Sequence, residues 1–299
     1  MTHASAHIAA LRSVALNVPD LKLAEDFFTR VWNLDVADRT DGAIYLRGSG
    51  SDHHLLALHA AAGAAQIRHV TLRTHSRHSL DAVAAQVSLA GGRILQEVAA
   101  LNEPGGGVAL TLTDPDGRIF RLVHGDVQVP ATRQRDKPLR LAHVVLNSDK
   151  VDATLGFMQQ VFDFSLSDRT RIMAFMRCNS DHHSLALGDT DNNALNHIAF
   201  LMPDVDAVMR GGGRMKDAGY GIEWGPGRHG PGDNAFNYFV GPFDVVIEYT
   251  AEVQQIDDSY LAGQPADWTW PPGRVDQWGI SLPPSDRLKK AQRAIHFVA

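Results

Sequence analysis

The chain repeats itself, and this internal repeat constrains its fold more than any other feature. The eight residues SDHHLLAL at positions 51–58 return as SDHHSLAL at positions 180–187. On nearly the same offset, LRSVALNVPD at positions 11–20 aligns with LAHVVLNSDK at positions 141–150. Such a repeat predicts two homologous halves. We place them at residues 1–130 and 138–252, with a tail at residues 253–299, because the polar segment QVPATRQRDK separates the halves.

The composition is that of a globular chain. Hydrophobic residues make up 44% of the 299 positions and charged residues 21%, close to the average for folded domains. The net charge of −6 disfavours binding to nucleic acid or to an anionic membrane. No apolar run reaches the ~20 residues that cross a bilayer, and the first residues do not resemble a signal peptide. The single cysteine, Cys178, cannot form an internal disulfide, so we predict a soluble cytoplasmic protein.

Each half is predicted to contain two units, in which a strand and a helix precede several short strands. In the second half, Asp149 is placed to cap a helix that runs to about Phe162, and Asp204 to cap a helix over residues 204–218. Three glycines at 211–213 disfavour the second helix, at about 1 kcal/mol each. Strands are predicted at residues 141–147, 170–177, 184–187, 195–201, 221–224, 235–240 and 245–249. The fold class is therefore α+β, with four βαβββ units.

Glu248 is the first candidate for chemistry. It lies within VVIEYT, a run of β-branched and aromatic residues typical of a strand. A carboxylate buried in such a sheet costs several kcal/mol unless it is paired or binds a metal. The alternative is that alternation places Val246, Glu248 and Thr250 together on a solvated face.

His143 and His197 each occupy the first predicted strand of a unit, and they precede Glu248 by 105 and 51 residues. A single strand histidine is usually a hydrogen-bonded core residue. His143, His197 and Glu248 are instead separated by about one or two unit lengths. This spacing predicts that equivalent edges of two paired sheets bring the three side chains together at one point. Two imidazoles and a carboxylate on one face of a metal are typical of non-haem Fe(II) oxygen enzymes.

The first half provides an internal control for this interpretation. At the positions that match His143, His197 and Glu248 it carries Ser13, His69 and Arg121. An arginine cannot bind a cation. We therefore predict that the first half is a scaffold without metal.

The second half resembles the catalytic domain of the type I extradiol ring-cleavage dioxygenases of the vicinal oxygen chelate superfamily. The stretch NYFVGPFDVVIEYT is similar to the family signature around its Glu ligand, with Tyr238 ten residues before Glu248. The resemblance implies two glyoxalase/dihydroxybiphenyl-dioxygenase-like domains, of which the first is inactive. It also implies that His143, His197 and Glu248 bind Fe(II), with Mn(II) as an alternative.

The same resemblance implies roles for neighbouring residues. His229 and Tyr238 would hydrogen-bond the oxygens of a catechol, while His183 would donate a proton to the reduced oxygen. A register shifted by one residue would assign that role to His182, which we otherwise expect on the opposite face of the strand. The pair could also be structural, because the first half carries His53 and His54. Asp233 is a weaker candidate for an acidic neighbour.

The predicted reaction is extradiol cleavage of a catechol with both atoms of O2 incorporated, in the degradation of aromatic compounds by a homo-oligomer. Two alternatives remain: a glyoxalase-like isomerase or lyase, and a metal-free small-molecule-binding protein of the same fold. The substrate itself is left open. The residues expected to line its pocket are Met173, Phe175, Trp224, Phe236 and the Trp-rich tail, which we expect to pack on the second half.

Overall fold

The computed structural model describes residues 5–299 and contains two mixed β-sheets, one in each half. The strands of the first half are β1 (Ile8–Val18), β2 (Asp35–Thr40), β3 (Ala43–Arg47), β4 (Leu56–Ala60), β5 (Gln66–Thr74), β6 (Arg93–Ala100), β7 (Val108–Thr113) and β8 (Ile119–His124). Its helices are α1 (Leu21–Asp26), which continues as a π-helical turn (Phe27–Val31), and α2 (Arg77–Val87).

The second half repeats these elements in the same order. Its strands are β9 (Arg140–Ser148), β10 (Ser165–Arg169), β11 (Met173–Arg177), β12 (Leu185–Asp189), β13 (Leu195–Leu201), β14 (Trp224–Arg228), β15 (Ala235–Val240) and β16 (Val246–Ala251). Its helices are α3 (Val151–Phe162), α4 (Val205–Asp217) and a 3₁₀ turn (Pro242–Asp244). The tail adds α5 (Asp286–Ala291) and β17 (His296–Phe297).

The two sheets have one topology. The first runs β2-β3-β4-β1-β5-β8-β7-β6 and the second β10-β11-β12-β9-β13-β16-β15-β14, which is the same order shifted by eight strands. In each sheet the first strands of the two units, β1 with β5 and β9 with β13, pair antiparallel at the centre. The predicted α+β fold of four βαβββ units in two homologous halves is confirmed. The expectation that two separate sheets meet at the site is wrong, because both units of a half share one sheet.

Several predicted boundaries were also wrong. The N-cap position of α3 is Lys150 rather than Asp149, and no side chain caps that helix. Strand β10 was missed because its sequence SLSDR has no apolar run. Strand β14 begins at Trp224, where the predicted strand ended, because its Gly-Pro-Gly sequence resembles a turn; proline is tolerated there since β14 is an edge strand.

Helix α4 forms despite its three glycines, and Asp204 caps it as predicted, accepting from the backbone N–H of Ala207 at 2.6 Å. A Cβ at Gly211 would lie 2.7 Å from the ring of Tyr249. That ring stacks on Trp32 of the first half, with centroids 3.6 Å apart. The glycine therefore allows α4 to pack closely on β16 at the junction of the halves.

The tail contacts both halves. Its last strand, β17, pairs in parallel with β5 of the first sheet. Earlier, Gly263 forms a bridge to Asp168 of β10 in the second sheet. None of the helices within residues 5–299 is long and apolar enough to span a membrane.

Candidate metal centre

Three neighbouring strands of the second sheet carry the predicted trio. His143 on β9 and Glu248 on β16 both pair with Ala199 on the intervening strand β13. Residues opposite each other in a sheet point to the same face. The small side chain of Ala199 leaves space between the imidazole and the carboxylate, and His197, two residues earlier on β13, reaches the same space.

A β-bulge lies directly beside His143, the first of the three residues along the chain. The register of β9 against β13 slips between the pairs His143–Ala199 and Leu141–Phe200, so Ala142 is the extra residue. Bulges commonly re-aim side chains beside functional sites. The bulge is repeated in the first half, where the extra residue is Arg12.

The three side chains converge on one point and are buried. One ligand atom from each of His143, His197 and Glu248 lies within 4.8 Å of the others. His143 Nε2 is 3.1 Å and His197 Nε2 3.3 Å from Glu248 Oε2, and the two imidazole nitrogens are 3.4 Å apart. The Glu248 side chain is fully buried, so the alternative of a solvated face is wrong.

The electrostatics of the cluster suit a cation. Burial alone would raise the pKa of Glu248, but the neighbouring His143, His197 and His229 hold it well below its usual range. Burial lowers the pKa of His197 to about 4. Near neutral pH the carboxylate is therefore ionised and this imidazole is neutral, the forms that bind metals. Glu248 Oε1 is buried without a hydrogen-bond partner, and a set of two imidazoles and one carboxylate fits a divalent metal.

Tyr238 and His229 lie beside this cluster. Tyr238 pairs directly with Glu248 across β15 and β16. Its hydroxyl lies 3.1 Å from His229 Nε2 and 3.4 Å from His197 Nε2. Burial, with the charge of Glu248, raises the pKa of Tyr238 well above its usual value. The phenol therefore remains protonated and can donate a hydrogen bond.

His182 and His183 are both buried and hydrogen-bonded to each other, with their Nδ1 atoms 3.1 Å apart. His183 stacks near His143, with ring centroids 4.3 Å apart, and lines the cavity above the cluster, whereas His182 does not. Burial, reinforced by His143, lowers the pKa of His183 well below its usual value. The expectation that His182 lies on the opposite face of the strand from His183 is wrong, because the two rings contact each other through their Nδ1 atoms.

The cavity has a volume of about 660 Å³. Of the residues expected to line it, Met173, Phe175 and Trp224 do so, and the tail contributes Trp268 and Trp270. Phe236 does not, because its ring stacks on His229 at 4.0 Å inside a small core cluster. Asp233 also lies outside the lining and accepts a hydrogen bond from Gln277 at 2.7 Å.

The first half has the corresponding strands without the ligands. Ser13 and Arg121 flank Thr71, just as His143 and Glu248 flank Ala199. Arg12, from the bulge, donates to Ser13 Oγ at 2.9 Å and to His54 Nε2. Arginine side chains thus occupy the space of the trio.

Sequence reasoning missed one polar residue, Asp168, at the back of the site. It is fully buried and accepts a hydrogen bond from His182 Nε2 at 2.7 Å. The repeat carried a signal for it, since Asp38 occupies the equivalent strand position: Asp38 pairs with Tyr45 and Asp168 with Phe175.

Comparison with known proteins decides the family. A sequence profile of the glyoxalase/bleomycin resistance protein/dioxygenase superfamily matches residues 6–122 and 140–249, one match in each half. The chain belongs to this superfamily. The matched regions end before the tail, so the family architecture corresponds to the two sheets.

Individual relatives are enzymes of more than one kind. The chain is 32% identical to metapyrocatechase 2 of Cupriavidus necator over 57% of its own length, a match that spans 60% of that relative. It is 24% identical to the manganese-dependent 2,3-dihydroxybiphenyl 1,2-dioxygenase of Geobacillus genomosp. 3, over 80% of this chain and 83% of the relative. The crystal structure of a Mn(II)-bound glyoxalase from Novosphingobium aromaticivorans superposes with a TM-score of 0.87 at 33% identity, covering 94% of each chain.

Proposed function

We propose that this protein is an extradiol dioxygenase. It cleaves a catechol-type ring beside the two hydroxyl-bearing carbons and incorporates both atoms of O2. The observation that carries the proposal is the buried set of two histidines and one carboxylate, His143, His197 and Glu248, at the base of a roomy cavity. The dioxygenases among its relatives support the reaction class.

The trio would hold Fe(II), and Mn(II) is the alternative, because imidazole and carboxylate ligands suit both ions. When bound, the metal supplies Lewis acidity toward the catechol and electron transfer toward oxygen. His143, His197 and Glu248 would hold the ion from one sheet face, and His143 and His197 line the cavity from which a substrate would approach. The fully buried carboxylate contributes one negative charge, so a monoanionic catechol would neutralise the remaining charge of a divalent ion.

The surrounding residues orient the substrate and move protons. The Tyr238 hydroxyl and His229 Nε2 are 3.1 Å apart, and both face the cavity that would receive the catechol oxygens. His183, neutral and on the other side of the cluster, exchanges a proton with the substrate. Trp224 and Trp270 provide apolar walls that exclude water from the ring.

A glyoxalase-like isomerase is the second candidate, because a solved relative carries that name. The ligand set favours the dioxygenase: such isomerases usually use more than one carboxylate, and here a single carboxylate lies among the ligands of one half. A metal-free binding protein is disfavoured because the carboxylate atom Glu248 Oε1 would then remain buried without a partner.

The experiment is to purify the full chain under anaerobic conditions, measure its bound metal, and follow oxygen uptake with monocyclic and bicyclic catechols. One metal per chain with equal consumption of O2 and catechol is the expected result. Turnover without oxygen consumption would indicate the isomerase, and binding without metal would indicate the sequestering protein. Reconstitution with Fe(II) or Mn(II) separately would identify the ion that supports turnover.

We also propose that the enzyme acts in the degradation of aromatic compounds, in the cytoplasm, as a homo-oligomer. The cavity of about 660 Å³ would accommodate a catechol that carries a second ring. Light scattering on the purified chain tests the assembly. A fixed mass equal to a multiple of the 32.6 kDa chain is the expected result.

A further inference from the structure

Behind His183, a buried chain of hydrogen bonds runs from the cavity to the tail. His183 Nδ1 contacts His182 Nδ1 at 3.1 Å, and His182 Nε2 contacts Asp168 Oδ2 at 2.7 Å. Asp168 also accepts from the Tyr260 hydroxyl at 3.1 Å and from the Gly263 backbone N–H at 2.7 Å. All three internal members, Asp168, His182 and His183, are 0–2% exposed.

From this geometry we propose that Asp168 and the tail residue Tyr260 are positioning residues, which act through His182 to hold the hydrogen of His183 on Nδ1 and leave Nε2 free toward the cavity. The proposal rests on the proposed function for its catalytic consequence. With Nε2 bare, His183 first accepts a proton from a catechol hydroxyl and returns it later in the reaction.

The first step of the argument is the carboxylate. Its two oxygens lie within hydrogen-bond distance of the Gly263 backbone N–H and the Tyr260 hydroxyl, and a carboxylate oxygen accepts. His182 Nε2, at 2.7 Å from it, must therefore carry a hydrogen. The Nδ1 atoms of His182 and His183, 3.1 Å apart, share one hydrogen; in the tautomer of His182 with its hydrogen on Nε2, that shared hydrogen belongs to His183 Nδ1.

The first half contains an equivalent histidine pair, His53 and His54. There the neighbour that fixes the tautomer contacts the second histidine of the pair instead of the first. His53 Nδ1 and His54 Nδ1 are 3.0 Å apart, matching His182 and His183. The His54 Nε2 atom contacts the guanidinium of Arg12, and a guanidinium can only donate. His54 therefore carries its hydrogen on Nδ1, so the repeat uses the arrangement that we propose for His183.

Two glycines show that the chain of bonds is enclosed. A Cβ at Gly232 would lie 3.0 Å from His183 Nδ1 and 3.1 Å from His182 Nδ1, and a Cβ at Gly263 would lie 2.9 Å from Asp168 Oδ1. The backbone thus packs against both hydrogen bonds. In the first half, by contrast, the equivalent residue Asp38 is exposed.

The decisive variant is Asp168→Asn. Its amide oxygen would keep the bond from Gly263 N–H, which places the NH2 group against His182 Nε2. That nitrogen must then accept, so the hydrogen of His182 moves to Nδ1 and that of His183 to Nε2. The matched control is Asp38→Asn, the same change at the exposed equivalent position.

The first measurement is the ring-nitrogen NMR spectrum of the full chain labelled with ¹⁵N-histidine and loaded with diamagnetic Zn(II). We expect the His183 hydrogen on Nδ1 in the wild type and in Asp38→Asn, and on Nε2 in Asp168→Asn, with equal zinc content in all three. A wild type with its hydrogen on Nε2 would overturn the proposal. This measurement does not depend on turnover, so it remains decisive if the chain cleaves no catechol and the proposed function fails.

The second measurement is steady-state kinetics of the metal-reconstituted enzyme. Asp168→Asn should lower kcat by about 10²-fold with little change in KM, since outer hydrogen-bond partners typically contribute 10- to 100-fold. Tyr260→Phe, which removes one donor and keeps the ring, should lower kcat severalfold, and it provides the test if Asp168→Asn fails to fold. Unchanged kcat in both variants, or an equal loss in Asp38→Asn, would contradict the proposal.

Discussion

The two halves place different side chains at equivalent points of one topology. Where the second sheet has His143 and Glu248 on either side of Ala199, the first has Ser13 and Arg121 on either side of Thr71. We call each set of three residues paired across neighbouring strands a row. The same strand pairing and the same bulge set the position of both rows. The fold therefore supplies the geometry of a metal site in both halves, and the residue types alone decide whether a metal can bind.

The two halves also differ in the source of positive charge beside these residues. In the first half the bulge residue is Arg12, whose guanidinium donates to Ser13 and to His54. In the second half the bulge residue is Ala142, and three candidate ligand atoms face one point. The first half thus carries a permanent, covalently attached cation where the second can hold an exchangeable one.

The space above each row differs accordingly. The cavity of the first half has a volume of about 10 Å³, room for about one water molecule. That of the second half is about 660 Å³. Side chains of Arg12, Arg121 and Glu103 line the small cavity, so Arg121 both stands at the position of Glu248 and helps to fill the space above it.

The largest effect is expected from Glu248→Gln. An amide cannot supply the charge that holds a divalent ion at a buried site, so metal and activity should be lost together. The matched control is His69→Ala, at the first-half position equivalent to His197, which should retain both. Metal analysis by mass spectrometry, with oxygen uptake, checks the pair. Full occupancy in Glu248→Gln would contradict the assignment.

The next largest effect is expected from His183→Phe. The ring removed contacts His143 but offers no ligand to the trio, so metal content and anaerobic catechol binding should survive. Turnover should fall about 10²- to 10⁴-fold, the usual contribution of acid–base groups. The control is His54→Phe, at the equivalent point of the first half, where turnover should stay near that of the wild type. A loss of metal in His183→Phe would make His183 a ligand.

The sequence predicted the fold well because the internal repeat allowed an element to be recognised in two copies. Alternation and caps located α4 and the strands β9, β13, β15 and β16, which carry the trio and Tyr238. Strand order within the sheet was beyond reach, since pairing of β9 with β13 is a long-range property. The bulge at Ala142 has no sequence signal at all, because it depends on the register of two strands.

The repeat spacing suggested the three candidate ligands of the site. It did not suggest Asp168, which supports His182 behind the site. The three candidate ligands do converge, and their metal-binding role remains a prediction. Asp168 was overlooked because a lone acid in the polar segment SLSDR resembles a surface residue. It is contacted by Tyr260 and Gly263, 92 and 95 residues later, in a part of the tail that forms no helix or strand.

A smaller effect is expected from Ala199→Thr, which gives the second half the central residue of the first-half row. The branched side chain would enter the space between His143 and Glu248, so metal affinity should fall about 10- to 100-fold, as for other changes to ligand orientation. The reciprocal control, Thr71→Ala, should create no metal site, because Ser13 and Arg121 are not ligands. Metal titration followed by calorimetry checks both. Unchanged affinity in Ala199→Thr would show that the small residue is not needed there.

The smallest effect tests the tail, which builds one wall of the catalytic cavity. Trp270 lines that cavity and is 39% exposed, whereas Trp278 is 37% exposed and lies over the guanidinium of Arg228, outside the lining. The two tryptophans are therefore matched in exposure and differ in position. Aromatic contacts contribute about 0.5–1.5 kcal/mol beyond area burial, which corresponds to a ~2- to 12-fold change in binding.

Trp270→Ala should accordingly raise the KM for a catechol about 2- to 12-fold, with metal content and kcat nearly unchanged, since the ring is neither a member of the ligand trio nor a hydrogen-bond partner of Asp168. Trp278→Ala should leave all three at wild-type values. The increase should be larger for a bicyclic catechol than for a monocyclic one, because only the longer substrate would reach the wall that the tail supplies. Equal KM values in the two variants would mean that the tail encloses the cavity without contacting the substrate, and that the specificity of the second half depends on the residues of its own sheet.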